Sequence, residues 1–460
     1  MANSTNSGST IDTGATRGSW GTRVGFILAA TGSAIGLGNI WKFPYITGVY
    51  GGGAFVLVYL VCVVIVGLPL MVAELMIGRR SKKNPVGAFR ALHAPNTPWQ
   101  ATGWLGVLSG FVILSFYSVV AGWAMAYIFK SIAGFSGTAE QIQAEYTALV
   151  AHPTASIIWH TVFMVLCIGI VIGGVRYGIE RWSKILMPTL FLILVGLMGY
   201  GLLYTDGGAE SLNFLFKPNF HKLSAEAALS ALGHAFFTLS LGMGAMLTYG
   251  SYMRRDESIT RDAIAVSALD TIIALIAGIA IYSLVFSFNM DPAAGPGLIF
   301  QTLPVLFAET GPWVSVPFFV LLTFAALTSG ISLLEVVVAY FIDERRWSRT
   351  KATLILGGSI WAFGLLSAIA AITIPFRGKD QGFFDVFDFI STNYMLPVGG
   401  LLTCLFAAWV MKRADKIAEF GSKGIIFQGL IFFLRFVTPL AVLIVLLHGL
   451  ELLPFMDYSK

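Results

Sequence analysis

Hydrophobic and polar positions along this chain fall into long alternating blocks. A window of about 20 residues, the length of helix that crosses a bilayer, finds apolar segments at 22–48, 53–78, 100–130, 155–175, 180–204, 226–253, 260–288, 315–342, 352–374, 384–411 and 426–454. Segments of this length are too long for the strands or core helices of a soluble domain. The pattern therefore predicts an all-α integral membrane protein with about eleven transmembrane helices.

Composition supports the membrane assignment. Of the 460 residues, 56% are hydrophobic and only 12% are charged, about half the charged fraction of a soluble chain. A net charge of +5 without a basic cluster interleaved with aromatic residues argues against a nucleic-acid partner. Residues 1–16 are rich in Ser, Thr and Gly and lack an apolar stretch, so we expect a disordered cytoplasmic tail rather than a signal peptide.

The distribution of basic residues predicts the orientation. Alternate connections carry 21 of the 29 Lys and Arg residues, and two more, Lys42 and Arg435, fall inside apolar segments. Because loops on the cytoplasmic side hold an excess of Lys and Arg, the N-terminus should be cytoplasmic. An odd number of spans then places the C-terminus outside.

Two apolar segments contain paired glycines. Gly36 and Gly38 interrupt the first, just before Asn39, and Gly242 and Gly244 interrupt the sixth. Either pair alone could serve close helix packing. Matched breaks in segments one and six instead indicate a transporter built from two inverted five-helix repeats, which we place at 17–205 and 206–411, followed by an eleventh helix and C-terminus at 412–460.

Four motifs carry a family resemblance: GSAIGLGNIWKFPY (32–45), GIERWSKILMP (178–188), FFTLSLGMGAMLTYGSY (236–252) and ALTSG (326–330). With these motifs the chain resembles the neurotransmitter:sodium symporter family over nearly its whole length, and within it most resembles bacterial multi-hydrophobic amino-acid transporters. The resemblance implies a LeuT-like fold with 5+5 inverted repeats and discontinuous helices one and six. It also implies sodium-coupled import of hydrophobic and aromatic L-amino acids by alternating access across a bacterial inner membrane.

The resemblance further implies two sodium ions. The first would be held with the substrate carboxylate by Ala34, Asn39, Thr238 and Asp270. The second would be held by the carbonyls of Gly32, Ile35 and Ala325 and the hydroxyls of Thr328 and Ser329. Without the resemblance, a Thr or Ser in a membrane helix would be expected to bond its own i−4 carbonyl.

Asp270 departs from the family pattern, in which most relatives have Asn. A mid-membrane carboxylate needs a cation or a proton beside it, and sodium is the expected companion. Ala274 replaces a Ser that helps to bind chloride in chloride-dependent relatives, so we expect chloride-independent transport. One alternative is a protonated Asp270 hydrogen-bonded to His234 or Thr238. A separate alternative is proton-coupled transport, because Asp270 is titratable.

The resemblance also assigns a substrate pocket. The substrate carboxylate would meet the Leu37 and Gly38 amides and the Tyr117 hydroxyl, and its ammonium the carbonyls of Ala34, Phe236 and Thr238, with Ser240 adjacent. The apolar wall would be Ile113, Phe237, Met243, Ser329 and Leu333. Met243 stands where the leucine transporter has Phe, and a flexible thioether favours a broad substrate range.

Gates and a hinge complete the expectations. The outer gate would pair Lys42 with Asp388 and place Tyr117 over Phe237. The inner gate would pair Arg17 with Asp343, with Trp20 and Tyr252 beside them, and Gly178 and Pro188 would form a hinge in the fifth span. Two further acids, Glu74 and Glu335, are expected to bond exposed backbone near the breaks.

Other classes of function fit less well. Neither a metalloprotease motif nor a serine-nucleophile motif occurs, which argues against an enzyme. A sodium-gated channel or a receptor-like member of the family remains open, and nothing in the sequence indicates the oligomeric state.

Overall fold

The computed structural model describes residues 18–292, 295–421 and 423–453. Within them, nine helices are long and apolar enough to cross a membrane: α3 (Gly53–Ser81), α5 (Gln100–Ala133), α7 (Pro153–Ile172), α8 (Val175–Tyr204), α12 (Ile259–Ser287), α14 (Pro312–Arg345), α15 (Arg349–Ala368), α16 (Phe383–Val410) and α18 (Ile425–Gly449). The predicted inner-gate residue Arg17 lies outside the described residues.

Two further segments are each built from a pair of short helices. The first pair is α1 (Arg23–Ala34) and α2 (Gly38–Val49), bent by 51° at the break, and together they pass the same test for a membrane span. The second pair is α10 (Ala225–Thr238) and α11 (Ala245–Ser251). Both predicted discontinuities are therefore present. The second pair is not among the segments that pass the test, so eleven spans remain a prediction.

Short elements join the long helices. They are α4 (Pro85–Leu92), α6 (Ala139–Ala151), α9 (Gly208–Phe216), α13 (Thr302–Thr310), α17 (Arg413–Phe420), two 3₁₀ turns at Phe220–Lys222 and Gly295–Leu298, and an antiparallel hairpin of β1 (Thr373–Phe376) and β2 (Lys379–Gly382) in which Thr373 faces Gly382. The apolar run predicted to reach residue 374 was wrong at its end. Helix α15 stops at Ala368, because 373–382 pairs as a hairpin instead.

Burial separates inner from outer helices. In the apolar window of each helix, 89% of residues are buried in α14 and 78% in α5, against 28% in α8 and α18. Helices α5 and α14 pack against each other, and α8 packs against α12 and α14. The breaks thus lie beside a buried α5–α14 pair, while α18 is mostly on the outer surface.

The second break is built by residues in the left-handed region of backbone space. Ser240, Gly242 and Gly244 have φ angles of +52°, +80° and +75°. The buried carboxylate of Glu74 in α3 accepts hydrogen bonds from the amides of Gly242 (2.7 Å) and Leu247 (3.3 Å). The expectation that Glu74 bonds exposed backbone near a break is confirmed.

Replacing Gly242 by Ala should destabilise the protein by about 2 kcal/mol or prevent folding. A Cβ there would lie 2.3 Å from the Leu396 carbonyl oxygen, and its φ of +80° is strained for any L side chain. The measurement is the thermal unfolding midpoint of the detergent-purified protein. Gly429→Ala in α18 is the control, because a Cβ there meets nothing within 4 Å. Equal unfolding midpoints for the two variants would show that the second break does not require glycine at position 242.

Candidate functional site

A cavity of about 30 Å³ lies between the two helix breaks. Its lining comprises Ser33, Ala34, Gly36, Leu37, Gly38, Ile113, Tyr117, Phe237, Ser240, Met243, Ser329 and Leu333. The structure therefore brings together every residue of the predicted substrate pocket except Phe236 and Thr238, which lie at the end of α10. Ser33 and Gly36 also line the cavity, although they were not predicted as pocket residues. Both lie next to the first break, and the glycine pair that marks this break is the sequence signal that could have identified them.

Backbone and hydroxyl groups converge at the first break. The Leu37 amide donates to the Tyr117 hydroxyl over 3.3 Å, and the Ser240 hydroxyl donates to the Ser33 carbonyl over 2.7 Å. A Cβ on Gly36 would lie 2.7 Å from Ser329 Oγ and 2.8 Å from the Tyr117 hydroxyl oxygen. Only glycine lets the chain pass this close, so the break leaves polar backbone facing the cavity.

Asp270 in α12 is the centre of a buried polar cluster. Its carboxylate accepts from Asn39 Nδ2 at 2.8 Å, from Thr238 Oγ1 at 3.1 and 3.2 Å, and from the Tyr59 hydroxyl at 3.4 Å. Asn39 Nδ2 also donates to the Asp270 carbonyl over 3.1 Å. The cluster joins both breaks to α3 and α12. Sequence reasoning missed Tyr59, since no motif surrounds it.

His234 does not take the role considered for it. Within the described part of the chain neither ring nitrogen has a hydrogen-bond partner. The imidazole instead packs against Phe43 and Tyr59, with ring centroids 5.8 and 5.4 Å away. Of the two partners considered for a protonated Asp270, Thr238 is hydrogen-bonded to the carboxylate and His234 is not.

Ser329 in α14 faces three carbonyls of the first break. Its Oγ lies 3.3 Å from the Gly32 oxygen, 3.1 Å from that of Ser33 and 3.2 Å from that of Ile35. One hydroxyl proton can satisfy only one of them. Oxygen lone pairs therefore outnumber hydrogen-bond donors here. A hard cation is bound by such a group of oxygen ligands.

Thr328 bonds carbonyls of its own helix and also packs against the first break. Its hydroxyl lies 3.1 Å from the Phe324 carbonyl and 3.0 Å from that of Ala325 in its own helix. It therefore makes the i−4 bond of an ordinary membrane Thr. It also packs beside the same break, because a Cβ on Gly32 would come within 3.0 Å of Thr328 Cβ.

A larger cavity of about 190 Å³ adjoins the small one and holds the expected outer gate. Lys42, Tyr117, Phe237 and Asp388 all line it. Lys42 and Asp388 are not among the ion pairs within 4.0 Å that the described residues form. The Lys42 ammonium lies instead 4.8 Å from the centroid of the Phe237 ring. The Lys42–Asp388 pair thus remains a prediction for another conformation.

The opposite side is closed by Trp20 and Tyr252. Trp20 donates through Nε1 to the Tyr249 carbonyl (3.0 Å) and through its amide to the Tyr252 carbonyl (3.3 Å). The Tyr252 hydroxyl donates to Glu335 over 2.6 Å, and Arg349 donates twice to the same carboxylate over 2.7 and 2.9 Å.

Two acids near this side were predicted to have other partners. The expectation that Glu335 bonds exposed backbone was wrong, because its carboxylate accepts from the side chains of Tyr252 and Arg349 instead. The Asp343 carboxylate accepts from the Asn84 amide over 2.9 Å and from Asn84 Nδ2 over 3.2 Å. Its pairing with Arg17 stays a prediction, since Arg17 falls outside the described residues.

The start of α8 holds the N-terminal end of α1. Gly178 lies in a π-helical turn, Val175–Glu180, and Pro188 lies within the helix that follows. The Glu180 carboxylate accepts from the Gly21 amide at 2.6 Å, the Thr22 hydroxyl at 2.9 Å and Lys184 at 2.6 Å. Sequence reasoning did not single out Glu180. Its position two residues after Gly178 ties any movement of this turn to α1.

Two broken helices that present free backbone groups to a buried cavity, in a chain with many membrane spans, define a carrier rather than an enzyme. A family model described as the sodium:neurotransmitter symporter family matches residues 17–149 and 135–460. The chain belongs to this family, and it has the LeuT-like fold.

Individual proteins support the same assignment. The chain is 39% identical over 447 residues to the uncharacterized sodium-dependent transporter YhdH of Bacillus subtilis, covering 95% of this chain and 98% of that protein. It is 32% identical over 452 residues to an uncharacterized sodium-dependent transporter of Haemophilus influenzae, covering 94% and 98%. The crystal structure of MhsT in complex with L-phenylalanine is 45% identical, with a TM-score of 0.86 over 94% of this chain and 100% of that one.

Replacing Glu180 by Gln should loosen the N-terminal end of α1. Losing the charge weakens bonds to Gly21, Thr22 and Lys184, so amide hydrogen exchange of a peptide covering 18–34 should accelerate about fivefold or more. Glu145→Gln is the matched control, because it removes an acid paired with Lys130 (2.6 Å) far along the chain from α1. Unchanged exchange in Glu180→Gln would show that this carboxylate does not hold the segment.

Proposed function

We propose that this transporter imports hydrophobic and aromatic L-amino acids together with sodium by alternating access, without a requirement for chloride. It would act in a bacterial inner membrane, with its N-terminus cytoplasmic and its C-terminus outside. The observation that carries the proposal is the cavity between the breaks, where backbone amides and the Tyr117 hydroxyl meet apolar side chains.

The cavity lining favours an apolar substrate side chain. Ile113, Phe237, Met243 and Leu333 line one cavity together with the Leu37 and Gly38 backbone, and no side chain of the lining is charged. An amino acid needs amide and hydroxyl donors for its carboxylate and carbonyls for its ammonium, and the breaks offer both. The similar protein MhsT has been solved in complex with L-phenylalanine, which supports an aromatic substrate here.

Met243 sets the size of the side chain that fits. An aromatic ring needs more than the cavity volume of about 30 Å³, so the lining must yield on binding. A thioether with several rotatable bonds can do so at low cost, and the adjoining cavity of about 190 Å³ leaves room for entry.

Two sodium sites would couple the gradient to the substrate. The first combines Ala34, Asn39, Thr238 and Asp270, of which the last three already share hydrogen bonds. The second combines Gly32, Ile35, Ala325, Thr328 and Ser329, where oxygens outnumber protons. Two sodium ions crossing with a zwitterion would gain about 4.6 kcal/mol per 100 mV, at about 2.3 per charge.

Asp270 would replace chloride as the fixed negative charge beside the first sodium. Its carboxylate accepts hydrogen bonds from Asn39, Tyr59 and Thr238, which would hold it in place beside the ion. Ala274, one turn further along α12, is buried and has no hydroxyl to offer an anion.

Uptake of radiolabelled L-phenylalanine into proteoliposomes tests the proposal. Replacing external sodium by choline should abolish uptake, whereas replacing chloride by gluconate on both sides should leave the initial rate within about twofold, a shift of less than 0.5 kcal/mol. Uptake that persists in choline and follows an imposed proton gradient would support the proton-coupled alternative. Uptake that collapses in gluconate would refute chloride independence while leaving sodium coupling intact.

Replacing Met243 by Phe should shift selectivity toward small aliphatic amino acids. The rigid ring fills the side-chain end of the cavity, so competition by tryptophan should weaken at least tenfold relative to competition by valine, about 1.4 kcal/mol. Met243→Leu is the control, because its similar volume and freedom should preserve the range. Unchanged tryptophan competition in Met243→Phe would place the substrate side chain elsewhere.

A further inference from the structure

Arg435 is a charged residue that the transport mechanism does not use. It lies in α18, eleven residues into a helix whose apolar window is only 28% buried. At 1.5 Å per residue its Cα is about 15 Å from the start of that helix. An arginine at such a depth normally has an acidic partner or reaches toward the interface.

The structure gives Arg435 an aromatic neighbour. Its guanidinium lies 5.1 Å from the ring centroid of Trp409, at the end of α16. That ring is 57% exposed and also packs edge-on against Phe436, with centroids 6.0 Å apart. No ion pair within 4.0 Å joins Arg435 to an acid among the residues described. The guanidinium therefore lies over an exposed aromatic surface, and its N–H groups are available to donate hydrogen bonds to a ligand.

The two acids in the connection between α16 and α18 already have partners. Asp415 pairs with Arg80 and Glu419 pairs with Arg79, each over 2.6 Å. These ion pairs hold α17 against the end of α3. The negative charges of this connection are therefore engaged by arginines other than Arg435.

Two more cations gather at the same place. Lys416 is buried, and its ammonium donates to the Ala407 and Ala408 carbonyls at the end of α16, over 3.1 and 2.8 Å. Burial and the positive charges of Arg435 and Arg413 lower the pKa of Lys416 to about 8. Arg413, Lys416 and Arg435 therefore form a cationic cluster beside exposed aromatic rings, level with the half of α18 that the charge asymmetry predicts to be nearer the cytoplasm.

We propose that this cluster, with Trp409, binds the phosphodiester headgroup of an anionic phospholipid such as phosphatidylglycerol. A phosphodiester fits because the guanidinium fork can donate two hydrogen bonds to it. The exposed rings of Trp409 and Phe436 would lie along the glycerol and upper acyl chains. A lipid is favoured over a soluble phosphate, since Arg435 faces outward from a membrane-spanning helix and its Cα lies below the level of the loop.

Native mass spectrometry of the delipidated, detergent-purified protein tests this site. Phosphatidylglycerol should bind the native chain with at least about fivefold higher occupancy than phosphatidylcholine, and Arg435→Gln should remove that preference. Arg176→Gln is the matched control, because Arg176 also lies over an exposed ring, 5.8 Å from the centroid of Tyr177, but far along the chain from the cluster. It should keep the preference within about twofold.

A second variant covers the case in which Arg435→Gln does not fold. Trp409→Leu keeps the cation and removes an exposed ring, and it should also lower phosphatidylglycerol occupancy at least about threefold.

Three outcomes would overturn the proposal. One is equal phosphatidylglycerol binding by the native chain, Arg435→Gln and Trp409→Leu. Another is displacement of phosphatidylglycerol by an equal concentration of inorganic phosphate, which would show that the site binds a soluble anion. The third is a concentration-dependent dimer that only Arg435→Gln abolishes, which would make a second copy the occupant.

Discussion

The structure depends on one constraint, which is that a polar backbone group in hydrocarbon must have a partner. A continuous helix meets this constraint by itself, whereas an interrupted helix cannot. At the two breaks of this chain the missing partners come from other elements: Glu74 for the amides of Gly242 and Leu247, and Ser240 and Ser329 for carbonyls of 32–35. The carbonyls that remain in excess make the interior suited to cations.

Because the partners come from different helices, the breaks link parts of the molecule that must move relative to one another. The first break contacts α14 through Ser329 and the second break through Ser240. Helix α1, which precedes the first break, is held at its N-terminal end by Glu180 of α8. The carbonyls of Tyr249 and Tyr252, at the end of α11, hold the same end through Trp20. A change in any one of these contacts therefore reaches the cavity. These shared contacts are what the proposed coupling between sodium binding and opening of the cavity would require.

Much of this arrangement could be predicted from the sequence because its signals are local. Paired glycines mark the breaks, and three of the four motifs, at 32–45, 236–252 and 326–330, contribute residues to the cavity lining. The acids show where local signals end. Glu74 could be assigned to backbone near a break, but Glu335 could not be assigned to Tyr252 and Arg349, since those partners are brought to it by tertiary packing. Tyr59 and Glu180 were missed for the same reason, because their partners Asp270, Gly21 and Thr22 are brought to them by tertiary packing.

In the proposed mechanism, sodium and the amino acid bind together to the oxygens exposed at the two breaks. Thermodynamic linkage then requires each to strengthen the binding of the other by the same factor. The most direct measurement is calorimetric sodium titration of the purified protein with and without saturating L-phenylalanine. We expect the amino acid to raise the sodium affinity at least about tenfold, a coupling of about 1.4 kcal/mol. A sodium affinity indifferent to the amino acid would contradict it.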